Sequence, residues 1–149
     1  MNTAAQSICD TPGETPLIDP LRLVGVDHNA AKVDTREQIS FQLDELDSLL
    51  AKLRADLELR EIVALSTCNR TEFYWVADRE PAVADFFNAV GNKLAPSIIE
   101  DLAYQYRGPA VAAHLFRVVS GLESMLVGET QIHHQVKRSY EIARHAGAS

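Results

Sequence analysis

The order of apolar segments predicts an α+β fold of the βαββαβ kind. This is a ferredoxin-like (split βαβ) antiparallel sheet packed by helices, with additional C-terminal helices. Two observations predict it. Short runs of branched and aromatic residues, typical of strands, recur along the chain. Longer segments with an apolar residue at every third or fourth position, typical of helices that face a core, lie between them.

The elements follow in order. Residues 21–26 form an apolar run that suits a strand and that ends at a polar loop containing His28. Ser40 is a typical N-cap for the next helix, which has an apolar stripe made of Leu43, Leu46, Leu50, Leu53 and Leu57. Residues 62–66 and 72–76 are predicted strands, joined by a short polar turn over residues 67–71.

The C-terminal half continues this plan. Pro81 resembles the first residue of a helix that Gly91 ends, and residues 104–106 suit a short strand. Pro109 opens the next helix, and a last helix follows Gly128. Their predicted core-facing residues are Val111, Leu115, Val118 and Leu122 in the first, and Ile132, Val136, Tyr140 and Ala143 in the second.

Composition limits the class of protein. The 149 residues carry a net charge of −7, and the sequence shows no basic cluster, so we expect no long grip on nucleic acid. There is no apolar run long enough to cross a bilayer and no signal peptide, which indicates a cytoplasmic protein. Residues 1–20 are polar and rich in Pro and Thr, and we predict a disordered leader before one domain over residues 21–149.

Cys68 is the candidate nucleophile. It lies after a predicted strand and two residues before Arg70, whose guanidinium would favour a thiolate. The alternative is a small buried hydrophobic residue. Arg70 itself could clamp a carboxylate or simply pair with Glu72 at the surface. His114, on an otherwise apolar helix face, is either a packed residue or a catalytic one, and no set of histidines suits a metal.

Three sequence blocks resemble glutamyl-tRNA reductases. The first is Leu-Ser-Thr-Cys-Asn-Arg-Thr-Glu-Phe-Tyr at residues 65–74, and the second is the long block over residues 114–132. A weaker third block comprises residues 25–28 and 33–37. All three occur in the family's order and spacing, so the chain is similar to the N-terminal catalytic, substrate-binding domain of this family.

The resemblance implies a role for each matching residue. Cys68 matches the nucleophile that takes the glutamyl group from glutamyl-tRNA as a thioester, and His114 matches a histidine that assists the acyl chemistry, as general base or as carbonyl polariser. Arg70 matches the residue that holds the free carboxylate of the substrate. The remaining matches to the substrate pocket are Thr67, Asn69, Ser124, Glu129 and Gln131.

The resemblance also implies cofactor and partners. The family reduces the thioester with NADPH to glutamate-1-semialdehyde, for tetrapyrrole (porphyrin and haem) biosynthesis. This sequence has no G-x-G-x-x-G, so the NADPH would be bound by a domain that this chain lacks, as it lacks the dimerisation domain. The implied partners are the acceptor end of glutamyl-tRNA, the glutamate-1-semialdehyde aminotransferase and, for the full-length family, a second copy of the chain.

The sequence departs from the family at residues 29–32, and at His133 and His134, where the family usually has Leu-Gly. Two other functions remain open. The chain could be a non-catalytic relative that binds glutamyl-tRNA or a partner and regulates. Alternatively, the chain could be a thiol redox sensor built on Cys68, although the sequence has no resolving cysteine near it.

Overall fold

The computed structural model describes residues 20–39, 41, 43–91, 96–122 and 131–148, and all statements below concern these. Ten elements follow one another along the chain. They are β1 (Leu21–Asp27), α1 (Val33–Glu37), α2 (Leu43–Asp56), β2 (Leu59–Ser66), β3 (Arg70–Ala77), α3 (Val83–Val90), α4 (Pro96–Leu102), β4 (Tyr104–Arg107), α5 (Pro109–Val119) and α6 (Gln131–His145).

The four strands form one antiparallel sheet in the order β2-β3-β1-β4. This is the strand order of the ferredoxin-like fold, and it confirms the predicted α+β class. β1 lies between β3 and β4, with Asp27 opposite Arg70 and Gly25 opposite both Glu72 and Tyr104. The central position of β1 therefore brings polar residues from three strands to one place.

Side chains alternate between the two faces of the sheet. One face packs on α2, α3 and α4 in the larger core, where Phe86 stacks on Trp75 and contacts Phe73 edge-on. The other face packs on α5 and α6 in a smaller cluster, made of Leu23, Leu65, Tyr74, Val111, Val118 and Ile132. Every second residue of β3 faces α5, so the side chains of Arg70, Glu72 and Tyr74 all lie on that face.

Several predicted elements need correction. Arg70 and Thr71 belong to β3, so the predicted turn over residues 67–71 is shorter than expected. The short helices α1 and α4 were not predicted from the sequence. α3 begins at Val83 with Ala82 as its N-cap, which places Pro81 before the helix, whereas Gly91 does end it with a φ of 78°. Ser40, the predicted N-cap of α2, lies outside the described residues.

Two predicted core residues are exposed. Leu122 is 63% exposed because α5 ends at Val119 and the chain turns at Gly121, whose φ is 77°. Tyr140 is 53% exposed, and Ser139 is buried in its place beside Ile132 and Ala143. At this turn of α6, the residue that faces the core is therefore Ser139, one position before the predicted Tyr140. No helix in the described ranges is long and apolar enough to span a bilayer.

Candidate active site

Cys68 lies in a tight turn between β2 and β3. The Thr67 amide donates to the carbonyl of Arg70 at 2.8 Å, and the Thr67 hydroxyl accepts from the amides of Asn69 and Arg70 at 3.2 Å each. The His28 amide donates to the carbonyl of Asn69 at 2.9 Å, which ties the turn to the end of β1. The Cys68 side chain is an exposed free thiol. A fixed turn therefore presents this sulfur to solvent.

A buried cluster of polar side chains follows the turn on the α5 face of the sheet. Its centre is Glu72, whose side chain is fully buried. Arg70 Nη1 donates to Glu72 Oε1 at 3.0 Å, and the Tyr74 hydroxyl donates to Oε2 at 2.5 Å. The Tyr104 hydroxyl also donates to Oε1, and His114 Nε2 lies 2.7 Å from the same oxygen. Glu72 thus connects β3, β4 and α5.

The cluster keeps Glu72 ionised. Burial alone would raise the pKa of its carboxyl, but the hydrogen bond and charge of His114, with the hydrogen bonds from Tyr104 and Tyr74, outweigh burial and lower this pKa to about 2. Burial, followed by the charge of Glu72, raises the pKa of both tyrosines, so they remain hydrogen-bond donors. Burial tends to lower the pKa of Arg70, but the charge and hydrogen bond of Glu72, together with Tyr104 and Asp27, outweigh burial and raise that pKa.

Gly25 provides the space for the cluster. A Cβ atom built at Gly25 would lie 2.8 Å from Glu72 Cγ and 2.8 Å from the Tyr104 hydroxyl oxygen. Both atoms belong to side chains that are fixed by their hydrogen bond to each other, so neither can move away at low cost. The glycine in the middle of β1 is therefore required by close approach of side chains.

The hydrogen bond to Glu72 decides which nitrogen of His114 carries a proton. An ionised carboxylate only accepts, so Nε2 is the N–H that donates to Glu72. The other ring nitrogen, Nδ1, is buried and has no hydrogen-bond partner among the residues that the structure describes. The ring stacks on Tyr106 with centroids 4.9 Å apart. Nδ1 is thus the atom of His114 that can meet a ligand, as an acceptor when the ring is neutral and as a donor when it is charged.

The structure brings together part of the predicted site. Thr67, Cys68, Asn69 and Arg70 form the turn and the start of β3, and His114 reaches the same cluster from α5. Arg70 does pair with Glu72, but in the interior, because its side chain is only 1% exposed. Gln131 is the exposed first residue of α6. Ser124 and Glu129 lie outside the described residues.

Sequence reasoning missed Glu72, Tyr74, Tyr104 and Gly25. A signal was present for two of them, since Glu72 and Tyr74 follow Arg70 at the spacing of two that puts residues on one face of a strand. The pairing with Tyr104 depends on strand order, which the sequence does not show. Across the described ranges, no three His, Cys, Asp or Glu side chains are placed to share a metal ion.

Comparisons with known proteins place the chain in a family. Residues 24–149 match the family model for the N-terminal domain of glutamyl-tRNA(Glu) reductase. The chain belongs to this family. Glutamyl-tRNA reductase of Deinococcus radiodurans is 40% identical over 127 residues, which are 85% of this chain and 34% of the relative. That of Bacillus subtilis is 38% identical over 130 residues, which are 82% of this chain and 28% of the relative.

The fold of the glutamyl-tRNA reductase domain is shared by a solved structure. Glutamyl-tRNA reductase from Methanopyrus kandleri superposes with a TM-score of 0.69 at 35% identity, covering 88% of this chain and 30% of the other. The chain thus spans about a third of the length of the relatives it matches.

Proposed function

We propose that this domain takes the glutamyl group from glutamyl-tRNA and holds it as a thioester on Cys68. The observation that carries the proposal is the exposed thiol of Cys68 in a turn fixed by Thr67, next to the buried cluster of Arg70, Glu72 and His114. Acyl transfer to cysteine requires an accessible sulfur and a group that moves its proton. Arg70, two residues after Cys68, links the turn through Glu72 to His114, and this link supports the proposal.

The acyl transfer conserves atoms and charge. The Cys68 thiolate attacks the ester carbonyl carbon, the C–S bond forms, and the ester C–O bond to the terminal ribose breaks. We propose that Nδ1 of His114 takes the proton of the Cys68 thiol and gives it to the departing ribose oxygen, so that the ribose leaves as an alcohol. Nε2 cannot take this proton, because it already carries the hydrogen that it donates to Glu72. In this role Glu72 orients the ring and holds its tautomer, as a carboxylate does for a catalytic histidine.

Arg70 is proposed to bind the free carboxylate of the glutamyl group. Glu72 fixes one side of the guanidinium and its charge offsets that of Arg70. The substrate carboxylate therefore needs a further positive charge nearby, which the substrate's own ammonium group can supply. Thr67, Asn69, Ser124, Glu129 and Gln131 are proposed to line the rest of the pocket. The Thr67 hydroxyl also holds the turn, so its substitution would act through Cys68 as well.

We propose that the reduction step uses another domain. The described sheet is antiparallel, whereas a nicotinamide dinucleotide is typically bound at the crevice of a parallel βαβ sheet, and this difference supports the proposal. In the proposal, NADPH on another domain of the longer family chain supplies the hydride that yields glutamate-1-semialdehyde for tetrapyrrole synthesis. A cytoplasmic location, a homodimer and the aminotransferase partner stay predictions.

A labelling experiment tests the proposal. The protein is mixed with tRNA carrying radiolabelled glutamate, denatured, treated with ribonuclease and assayed for label that hydroxylamine releases, as expected for a thioester. We expect label on the wild type and none on Cys68→Ser, whose hydroxyl is a far weaker nucleophile at neutral pH. Tight binding of the charged tRNA without any covalent label would contradict acylation and favour a non-catalytic binding module.

A further inference from the structure

Helix α6 collects positive charge on its outward face. Its inward face buries Ile132, Ser139 and Ala143. The outward side is exposed and carries the cationic and titratable residues His133, His134, Lys137, Arg138, Arg144 and His145, with Glu141 among them. The sequence shows no run of basic residues, but helical spacing brings these side chains, which are separated along the chain, onto one face.

These cations are available to a ligand. In the part of the chain that the structure describes, the side chains of Arg138 and Arg144 make no hydrogen bond or ion pair. Lys137 lies 4.0 Å from Glu141, with its side chain 76% exposed, so that pair is weak. α6 has three Lys and Arg against one acid, a formal charge of +2, so the rest of the chain, whose total is −7, carries −9. The net charge of α6 is therefore positive, whereas that of the rest of the chain is negative.

α6 begins at the end of the sheet that presents Cys68. Near its start, Ile132 shares a cluster with Leu65, one residue before the end of β2. Just after its end, the Gly147 carbonyl accepts a hydrogen bond from Arg54 in the last turn of α2, which leads directly into the start of β2. α6 therefore runs antiparallel to β2 for roughly 22 Å, at 1.5 Å per residue, away from the nucleophile.

We propose that the outward face of α6 binds the phosphate backbone of the RNA whose aminoacyl end enters the Cys68 site. The proposal rests on the proposed function and adds a docking surface to it. Lys and Arg side chains displace condensed counterions from RNA phosphates, and the acidic remainder of the domain repels the same polyanion. The domain thus orients the RNA so that its backbone follows α6 while its end reaches Cys68.

Charge reversal with a matched control tests the surface. Binding of uncharged glutamate-specific tRNA to the 149-residue chain is followed by fluorescence anisotropy at several KCl concentrations, for wild type, Arg138→Glu and Arg79→Glu. Arg79 is an exposed arginine after β3 with no partner in the described ranges. We expect Arg138→Glu to weaken binding roughly five- to tenfold and to lower the slope of log K against log salt by about 1. Arg79→Glu should retain the wild-type affinity and slope.

The outcomes separate this surface from the acyl chemistry. Wild-type affinity and slope for Arg138→Glu, or an equal loss for Arg79→Glu, would overturn the docking surface, even if Cys68 becomes labelled. Loss of tRNA affinity in Arg138→Glu without any label on wild-type Cys68 would keep the surface and overturn the proposed acylation. The double substitution Lys137→Glu with Arg138→Glu should lower the slope further, and its circular dichroism should match that of the wild type, because both residues are exposed.

Discussion

Replacing Glu72 with glutamine keeps the shape of the side chain and removes its charge. The wild-type carboxyl has its pKa lowered from 4.5 to about 2 by the surrounding donors. A carboxylate with a lowered pKa in the folded state stabilises the protein above its unfolded pKa, and this stability is lost as pH falls toward the folded pKa. At about 1.4 kcal/mol for each pKa unit, the wild type should lose ~3 kcal/mol between pH ~4.5 and pH ~2 through Glu72.

Glu72→Gln should lack this part of the pH dependence. At neutral pH it should also be less stable than the wild type by ~3–5 kcal/mol, because Arg70 is left buried without its charged partner. The difference in unfolding free energy between wild type and variant should therefore shrink as the solution is acidified. The shared titration of the other carboxylates cancels in this difference.

The assay is urea unfolding followed by the fluorescence of Trp75, the single tryptophan, which is 4% exposed. It is repeated from neutral pH to pH ~2 for wild type, Glu72→Gln and Asp78→Asn. Asp78 is an exposed carboxylate that pairs with Arg60, so its variant should follow the wild-type curve within ~0.5 kcal/mol. Parallel curves for wild type and Glu72→Gln would refute the reasoning, because Glu72 would then carry no depressed pKa.

Three further predictions concern packing and the turn. Gly25→Ala should destabilise the protein by ~1–3 kcal/mol in a denaturant titration. Combined with Tyr104→Phe, which removes one of the clashing atoms, the total loss should be smaller than the sum of the two single losses, and full additivity would contradict the steric explanation. Phe86→Ala should lower the free energy of unfolding by ~3–5 kcal/mol in the same titration, because Phe86 is fully buried. Phe116→Ala, at a side chain that is 76% exposed, should change it by less than ~0.5 kcal/mol, and equal effects of the two substitutions would argue against the described core. Thr67→Val should lower the free energy of unfolding by ~1 kcal/mol and change the rate at which iodoacetamide modifies Cys68, whereas Thr67→Ser should leave the stability and the rate close to wild type. If the two variants behave alike, the Thr67 hydroxyl does not support the turn.

The sequence predicts the elements with strong patterns and misses those whose placement depends on distant residues. The leucine stripe of α2 and the aromatic run of β3 identify buried faces, because their periods match a helix and a strand. Pro109 and Gly91 mark a helix start and a helix end through backbone chemistry alone. The short helix α1 has too few residues to show a period, so the sequence gives no signal for it.

The candidate site divides in the same way. The position of Cys68 in a turn after an apolar strand could be predicted from the sequence. Its exposure could not, because a buried cysteine fits the same pattern, and the structure decides for the exposed thiol. The interior position of Arg70 could not be predicted, because it depends on Glu72 being held by a tyrosine from another strand and a histidine from α5. A charged side chain is buried only when hydrogen-bond and charge partners compensate for the loss of water. Here two of the partners, Tyr104 and His114, are distant in the sequence from Arg70 and Glu72.

The most direct test of acyl transfer to Cys68 is tandem mass spectrometry of the protein after brief mixing with glutamyl-tRNA and acid quenching. We expect a glutamyl group on Cys68 itself in the peptide that contains it, and no such group on Cys68→Ser treated in the same way. A glutamyl group on another residue in both proteins, or an unmodified Cys68 peptide while deacylated tRNA accumulates, would contradict it.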